Sequence, residues 1–182
     1  MSDNDLVHHC APTLAGLKTG SLFTCPIGCR EELLRTVRKT NDRLKAKGVR
    51  LLPLRFSEDK ALIYLYRPKK LRADLSDAGA ACILRRCGYD PSNWEKCLGQ
   101  LGKKLRSGQE FPHEIGLFLG YPAEDVCGFM ENSPCCKCVG CWKVYGDEEA
   151  ARKKFAQYKK CTRVYRDRWA QGQKLEKLTV AG

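Results

Sequence analysis

No apolar run in this chain approaches the roughly 20 residues that a membrane-spanning helix requires. The sequence therefore predicts no membrane-spanning helix. The opening MSDNDLVHH has neither a basic n-region nor an apolar h-region, so no secretory signal is read there and a cytoplasmic protein is expected. Twelve cysteines in 182 residues fall short of the roughly 8–10% that marks a secreted disulfide scaffold. Without an export signal, reduced thiols are the expectation. Internal repeats and low-complexity tracts are absent. The loop after Thr13 lacks the second glycine of a phosphate loop, because Leu17 stands in its place.

The length fits one domain spanning residues 1–182, large enough to bury roughly two thirds of its unfolded surface. Apolar content is 43% and charged content 30%, as in soluble globular proteins. Lys and Arg number 33 against 21 Asp and Glu, a net charge of +12. Such an excess favours acidic partners: nucleic acid, an anionic cofactor or small molecule, an acidic electron-transfer protein or a membrane surface. Solvated helix faces account for the same excess without any partner.

His8, His9 and Cys10 stand together just before Pro12 and Thr13, and proline biases the backbone there away from helix. Gly16 to Gly20 reads as a loop that could form an anion nest of backbone N–H groups. Thr13, Gly16 and Lys18 are its cofactor-binding candidates. Cys25 and Cys29 are spaced one residue wider than a redox Cys-x-x-Cys pair. A helix follows to about Lys47, with Ile27, Leu34, Val37, Asn41 and Leu44 on one stripe. Segments 49–56 and 61–66 form the clearest strand pair, and Pro53 pushes the first toward an edge or bulge. Lys69 to Cys87 reads as one bent helix or two short ones. Trp94, Cys97, Leu98, Leu101 and Leu105 make a further amphipathic stripe. The last helix runs to about Trp169 on a seam of Ala151, Phe155, Tyr158, Thr162, Tyr165 and Trp169. The tail from Gln171 is expected to fray.

The stretch from Phe111 to Tyr145 holds most of the chemistry. Gly120-Tyr121-Pro122 separates two apolar segments and predicts a helix, a tight turn and a second helix. His113 and Glu114 could work as a general acid/base pair, facing His9 and Cys10 if the fold brings the two groups together. Cys135, Cys136, Cys138 and Cys141 place four thiols within seven residues. Cys138 and Cys141 have the spacing at which two thiolates grip one zinc or iron–sulfur centre. The helix-turn-helix pattern also suggests DNA binding, but residues 122–131 carry three acids and no Lys or Arg. Phosphates would repel that helix, which argues against specific DNA recognition.

Two segments carry a likeness to a known family: His9-Cys10-Ala11-Pro12-Thr13-Leu14 with Gly16 and Lys18, and Phe111-Pro112-His113-Glu114-Ile115-Gly116 through Gly120-Tyr121-Pro122 and Asp125-Val126. With Trp142-Lys143-Val144-Tyr145 and the Phe155/Tyr158 helix, the chain resembles an uncharacterised bacterial domain-of-unknown-function family seen mainly in anaerobes. The likeness covers nearly the whole chain. It implies an intracellular bacterial protein of this size and supplies no catalytic assignment.

The expected fold is α+β: a small, mainly antiparallel sheet from 49–56, 61–66, 141–145 and a candidate strand at 21–24, covered by about five or six helices. The first functional expectation is a cytosolic thiol- or metal-dependent redox or iron-handling accessory, with zinc or an iron–sulfur cluster on the thiol loop and an acidic electron-transfer partner. The second is a metal-free enzyme using His9, Cys10 and His113 on an anionic small molecule near Lys18.

Overall fold

The computed structural model of the chain describes residues 1–108 and 110–182. Its elements run α1 (Asp3–Leu14), β1 (Gly20–Pro26), α2 (Arg30–Leu44), β2 (Arg50–Phe56), β3 (Lys60–Tyr66), α3 (Pro68–Leu75) and α4 (Ala78–Arg86). They continue with α5 (Trp94–Ser107), α6 (Ile115–Phe118), α7 (Ala123–Met130), β4 (Cys138–Val139), β5 (Lys143–Val144), α8 (Glu148–Ala170) and α9 (Leu175–Leu178). The fold is α+β, with one three-stranded antiparallel sheet and one two-stranded hairpin. Among the described residues, no helix is long and apolar enough to cross a membrane. The chain divides into two compact units: Met1–Lys70 with Tyr158–Gly182, and Leu71–Gln157.

In the first unit the strands pair in the order β1-β3-β2. Pro53 has no N–H to donate, so β2 takes an edge, with a register shift between Pro53 and Arg55. The central strand β3 alternates: Ala61, Ile63 and Leu65 enter the unit's core, while Tyr64 and Tyr66 stack on each other with ring centroids 4.9 Å apart. Leu6, Val7, Cys10 and Leu14 of α1, and Leu33, Val37 and Leu44 of α2, close the same core. The buried stripe of α2 therefore runs through Leu33 and Thr40, not through Leu34 and Asn41 as its sequence suggests. Asn41 instead exchanges two hydrogen bonds with the Leu51 backbone, at 3.0 and 2.7 Å.

Two expectations for this unit are corrected. Pro12 does not break a helix; it lies inside α1. It falls in the last turn, where its missing N–H forfeits one backbone hydrogen bond and the helix end is rebuilt by other groups. A capping box between Ser2 and Asp5 starts the helix. The tail does not fray either. Leu175 and Leu178 are core residues, Thr179 is buried, and the Val180 N–H donates to the Leu14 carbonyl at 3.0 Å. Its apolar pair at i and i+3, invisible as a stripe in so short a segment, anchors it.

The end of α1 shows how the sequence stabilises this unit. Gly16 takes φ +76°, and the N–H groups of Gly16 and Leu17 return to the carbonyls of Thr13 and Pro12, a Schellman closure. Arg67 satisfies the next carbonyls: its Nε donates to Thr13 O at 2.7 Å, and one terminal nitrogen donates to Leu14 O and Val180 O, both at 2.7 Å. A guanidinium at a helix C-terminus also meets the negative end of the peptide dipoles.

In the second unit, Asp77 caps α4 and Asn93 caps α5. Cys97, Leu98, Leu101 and Leu105 of α5 are buried, as their spacing implies. Helices α6 and α7 flank the Gly120 turn, where Gly120 has φ +77°. The strand expected at 141–145 narrows to β5. It pairs with β4 alone and not with the main sheet, because only the preceding residues of its own hairpin supply a partner. The apolar seam of α8 is buried or half-buried throughout, and that helix passes from the second unit into the first at Tyr158.

Candidate functional site

Within the second unit, α6, α7 and β5 surround a cavity of about 350 Å³. Its walls are apolar and largely aromatic: Phe111, Ile115, Leu119, Val126, Phe129 and Trp142. Glycines permit the close packing behind it. A Cβ on Gly116 would stand 2.8 Å from a Val126 methyl, and one on Gly128 would stand 2.5 Å from the Tyr145 ring. Neither α6 nor the strand could approach α7 as closely if these positions carried side chains.

Asp125 is the pillar of this arrangement. It is buried, accepts from Trp142 Nε1 at 2.7 Å, and accepts from the N–H groups of Tyr145 and Gly146 at 2.7 and 2.8 Å. Three donors occupy both carboxylate oxygens, so Asp125 orients Trp142 and β5. Tyr121 stacks on Trp142 at 4.7 Å and donates its hydroxyl to the Cys141 carbonyl at 3.2 Å.

The polar groups left to a ligand are His113 and Lys143, both exposed at the edge of the cavity. His113 meets the Phe129 ring edge-on at 5.0 Å, and the Lys143 ammonium lies over the same ring at 5.4 Å. Among the described residues neither side chain forms a hydrogen bond or an ion pair. Both are donors when protonated, and a fixed cation over an aromatic face is a ready partner for an anion. Lys143, Phe129, Tyr121 and Trp142 were not singled out in the sequence as site residues. The signal present was the Trp-Lys-Val-Tyr run, which reads equally well as an ordinary strand.

The segments that build this cavity include those carrying the family likeness, Phe111 to Gly116, Tyr121, Asp125-Val126 and Trp142-Lys143. The sequence model of DUF3793, a family described as proteins of unknown function, matches residues 6–179. The chain belongs to this family. No curated protein and no solved structure matches it.

In this DUF3793 chain, Glu114 is beside the cavity in sequence but not open to it. It is buried, and its Oε1 accepts from Lys104 Nζ at 2.6 Å and from the Tyr89 hydroxyl at 2.9 Å. Burial, then the Glu114 charge, pushes the Tyr89 phenol far above its usual range. Glu114 is thus committed to holding α5 and the Tyr89 loop against the start of α6, which leaves His113 as the member of the pair that faces outward.

His9 and Cys10 belong to the first unit, on α1. His9 is exposed and stacks on Phe23 at 5.3 Å. Its neighbour His8 accepts from an Arg166 terminal nitrogen at 2.8 Å through Nε2, and desolvation, then Arg166, holds its pKa below the ordinary value. Cys10 is fully buried, and desolvation pushes its thiol far above the normal range. A thiol so placed is a core group with no accessible thiolate. Thr13 is also buried; its hydroxyl lies 2.9 Å from that of Ser21 and its carbonyl is taken by Arg67. The N–H groups of Gly16, Leu17 and Lys18 all return to carbonyls of α1. The loop expected to form an anion nest spends its donors on the helix end.

The thiol loop is open. Cys135, Cys136 and Cys141 are exposed and Cys138 is half-buried in β4. The Cys136 thiol contacts its neighbour's backbone, the Cys138 carbonyl, at 3.5 Å. Among the described residues, no three His, Cys, Asp or Glu side chains are grouped to hold a metal ion. Of the Cys25/Cys29 pair, Cys25 points into the core and its thiol is pushed up by burial, while Cys29 is exposed and donates to Glu31 at 3.0 Å.

Proposed function

We propose that this chain binds a small organic anion with an apolar, ring-bearing body in the cavity of its second unit. The observation that carries the reading is the pairing of an aromatic-walled space with two uncommitted nitrogen groups, His113 and Lys143, on one side of it. Its volume lies at the lower end of the roughly 300–1,000 Å³ typical of small-molecule sites. Asp125 is buried and both its oxygens are engaged by donors of its own fold, while Lys143 at the cavity edge is a donor with no acceptor. That imbalance selects a carboxylate or phosphate monoester over an amine. His113 is also the group in this cavity able to pass a proton to or from a bound ligand, which makes it the catalytic candidate if the ligand is transformed.

The test is calorimetric titration of the full chain with a panel of aryl monocarboxylates, the corresponding amides and aryl phosphate monoesters. The carboxylates bind and their amides bind at least tenfold more weakly. Lys143→Met, an exposed substitution that leaves the walls intact, loses about tenfold for the acids, or about 1.4 kcal/mol, and changes the amides little. Equal affinity for acid and amide refutes the anion assignment; no binding by either refutes the site.

A second reading rests on the exposed thiols Cys135, Cys136 and Cys141 beside Cys138: a thiol-dependent redox or iron-handling accessory served by an acidic electron-transfer partner. Elemental analysis and a visible spectrum of anaerobically purified protein test its metal form. Colourless, metal-free, folded protein removes it.

A further inference from the structure

The net charge of +12 is not spread evenly over the first unit. From residue 159 to 168, α8 exposes Lys159, Lys160, Arg163, Arg166 and Arg168 against one acid, Asp167. The helix then ends in a Schellman closure. Gly172 takes φ +81°, its N–H returns to the Trp169 carbonyl at 2.9 Å, and the Gln173 N–H returns to Arg168 O at 3.0 Å. That reversal lays Lys174 and Lys177 beside the end of α8 and creates a groove of about 680 Å³. Arg168, Gln171, Gly172, Gln173, Lys174 and Lys177 line it. It contains three cations, two amides and no carboxylate. Among the described residues, none of the three cations forms an ion pair.

A second groove of about 400 Å³ adjoins the first and shares Gly172, Gln173 and Lys174 with it. It presents the half-buried Trp169. The acids at that end, Asp3 and Glu176, are both paired with Arg43, at 2.7 and 2.6 Å, and neither lines the first groove. The acid-free cationic groove and the indole of the adjoining one are the two parts a single-stranded nucleic acid needs: cations that follow the phosphates and an aromatic surface for a base. At about 1.5 Å of rise per residue, Lys159 to Arg168 continues the positive surface by roughly 13 Å, enough for more than one phosphate.

From these observations we infer that the C-terminal groove and the exposed face of α8 form a binding surface for single-stranded nucleic acid, read through its backbone without sequence preference. The surface is distinct from the helix-turn-helix of α6 and α7, whose acidic second helix would repel phosphates. It is also independent of the small-molecule cavity, and either assignment stands if the other fails.

The experiment is fluorescence anisotropy of the full chain with a labelled 15-nucleotide oligo-dT, a 15-base-pair duplex and polyglutamate. With about four phosphates neutralised, oligo-dT affinity falls about 50-fold between 50 and 200 mM salt. Lys174→Glu combined with Lys177→Glu weakens it at least tenfold and flattens the salt dependence. Lys69→Glu with Lys70→Glu makes the same charge change on exposed positions of α3 and leaves affinity within threefold. All four positions are exposed, and circular dichroism checks that both variants fold. Equal loss from the two variants overturns the proposal, because net charge alone then explains binding. Tighter binding of the duplex or of polyglutamate overturns it as well, the latter in favour of an acidic protein. So does the absence of oligo-dT binding at 50 mM salt.

Discussion

Replacing Arg67 with Met removes the clamp on which the end of α1 and the C-terminal tail converge. The guanidinium is 3% exposed and makes three bonds of 2.7 Å, to Thr13, Leu14 and Val180 carbonyls. Charge-assisted hydrogen bonds contribute about 1.5–3 kcal/mol each, and a buried carbonyl left without a partner costs about 1–3 kcal/mol. Against that, burying the guanidinium is itself unfavourable, since desolvation lowers its pKa, and Met relieves this cost while filling part of the space. The balance is a loss of about 3–5 kcal/mol, a large part of the stability of a domain of this size. Lys at the same position keeps the charge but cannot span three carbonyls, so Arg67→Lys falls between Met and the parent. Urea unfolding followed by circular dichroism measures the loss. Amide exchange at Val180, whose N–H donates to Leu14, reports whether the tail is released first. A Met variant within about 1 kcal/mol of the parent, with Val180 still protected, refutes the clamp.

Thiol labelling of the folded protein sorts the cysteines by position: Cys29, Cys82, Cys135, Cys136 and Cys141 react quickly, while Cys10, Cys25, Cys97 and Cys161 react only on unfolding. Burial pushes the Cys161 thiol up to about 11, which slows it further; mass spectrometry after brief alkylation reads the pattern, and early labelling of Cys10 contradicts it. Asp125→Asn sets an amide NH₂ against backbone or indole N–H donors and costs about 2–4 kcal/mol, seen as a lower melting temperature with a shift in tryptophan emission. If both stay at parental values, Asp125 is not the pillar described above. The hydrogen bond from Arg43 holds the Glu176 carboxyl below its usual pKa. Its contribution is therefore complete above the unfolded value of about 4.3 and lost as pH falls through the lower folded value. Acid titration of the Arg43→Gln variant shows a shallower loss of stability below about pH 4.3 than the parent; parallel curves refute the linkage.

Local patterns carry much of this fold because they depend on near neighbours. The period-2 run from Ala61 to Tyr66 marks the central strand, Pro53 marks the edge, and the Trp94-to-Leu105 stripe marks a helix whose apolar face must be covered. Gly120-Tyr121-Pro122 identifies the turn between α6 and α7 for the same reason: left-handed backbone and a missing N–H are properties of single residues. Pro12 misleads because its local bias is outweighed by the capping box, the Schellman closure and Arg67, the last of which lies more than fifty residues away. The tail misleads because two leucines show no period, although they fill a core built by α1, α2 and the sheet.

The sites divide along the same line. Sequence alone determined that His113 stands at a helical turn, that four thiols crowd one loop, and that the last helix is basic on its outer face. It could not determine that Cys10 and Thr13 are interior, that the N–H groups after α1 are consumed, or that Glu114 is held by Lys104. Only the tertiary structure decided that Phe111, Phe129, Trp142 and Lys143 share one cavity with His113, since Asp125 joins α7 to β5 across some twenty residues of chain. Periodicity records which face of an element is apolar. Which faces meet depends on long-range hydrogen bonds and close packing, and those have no period to read.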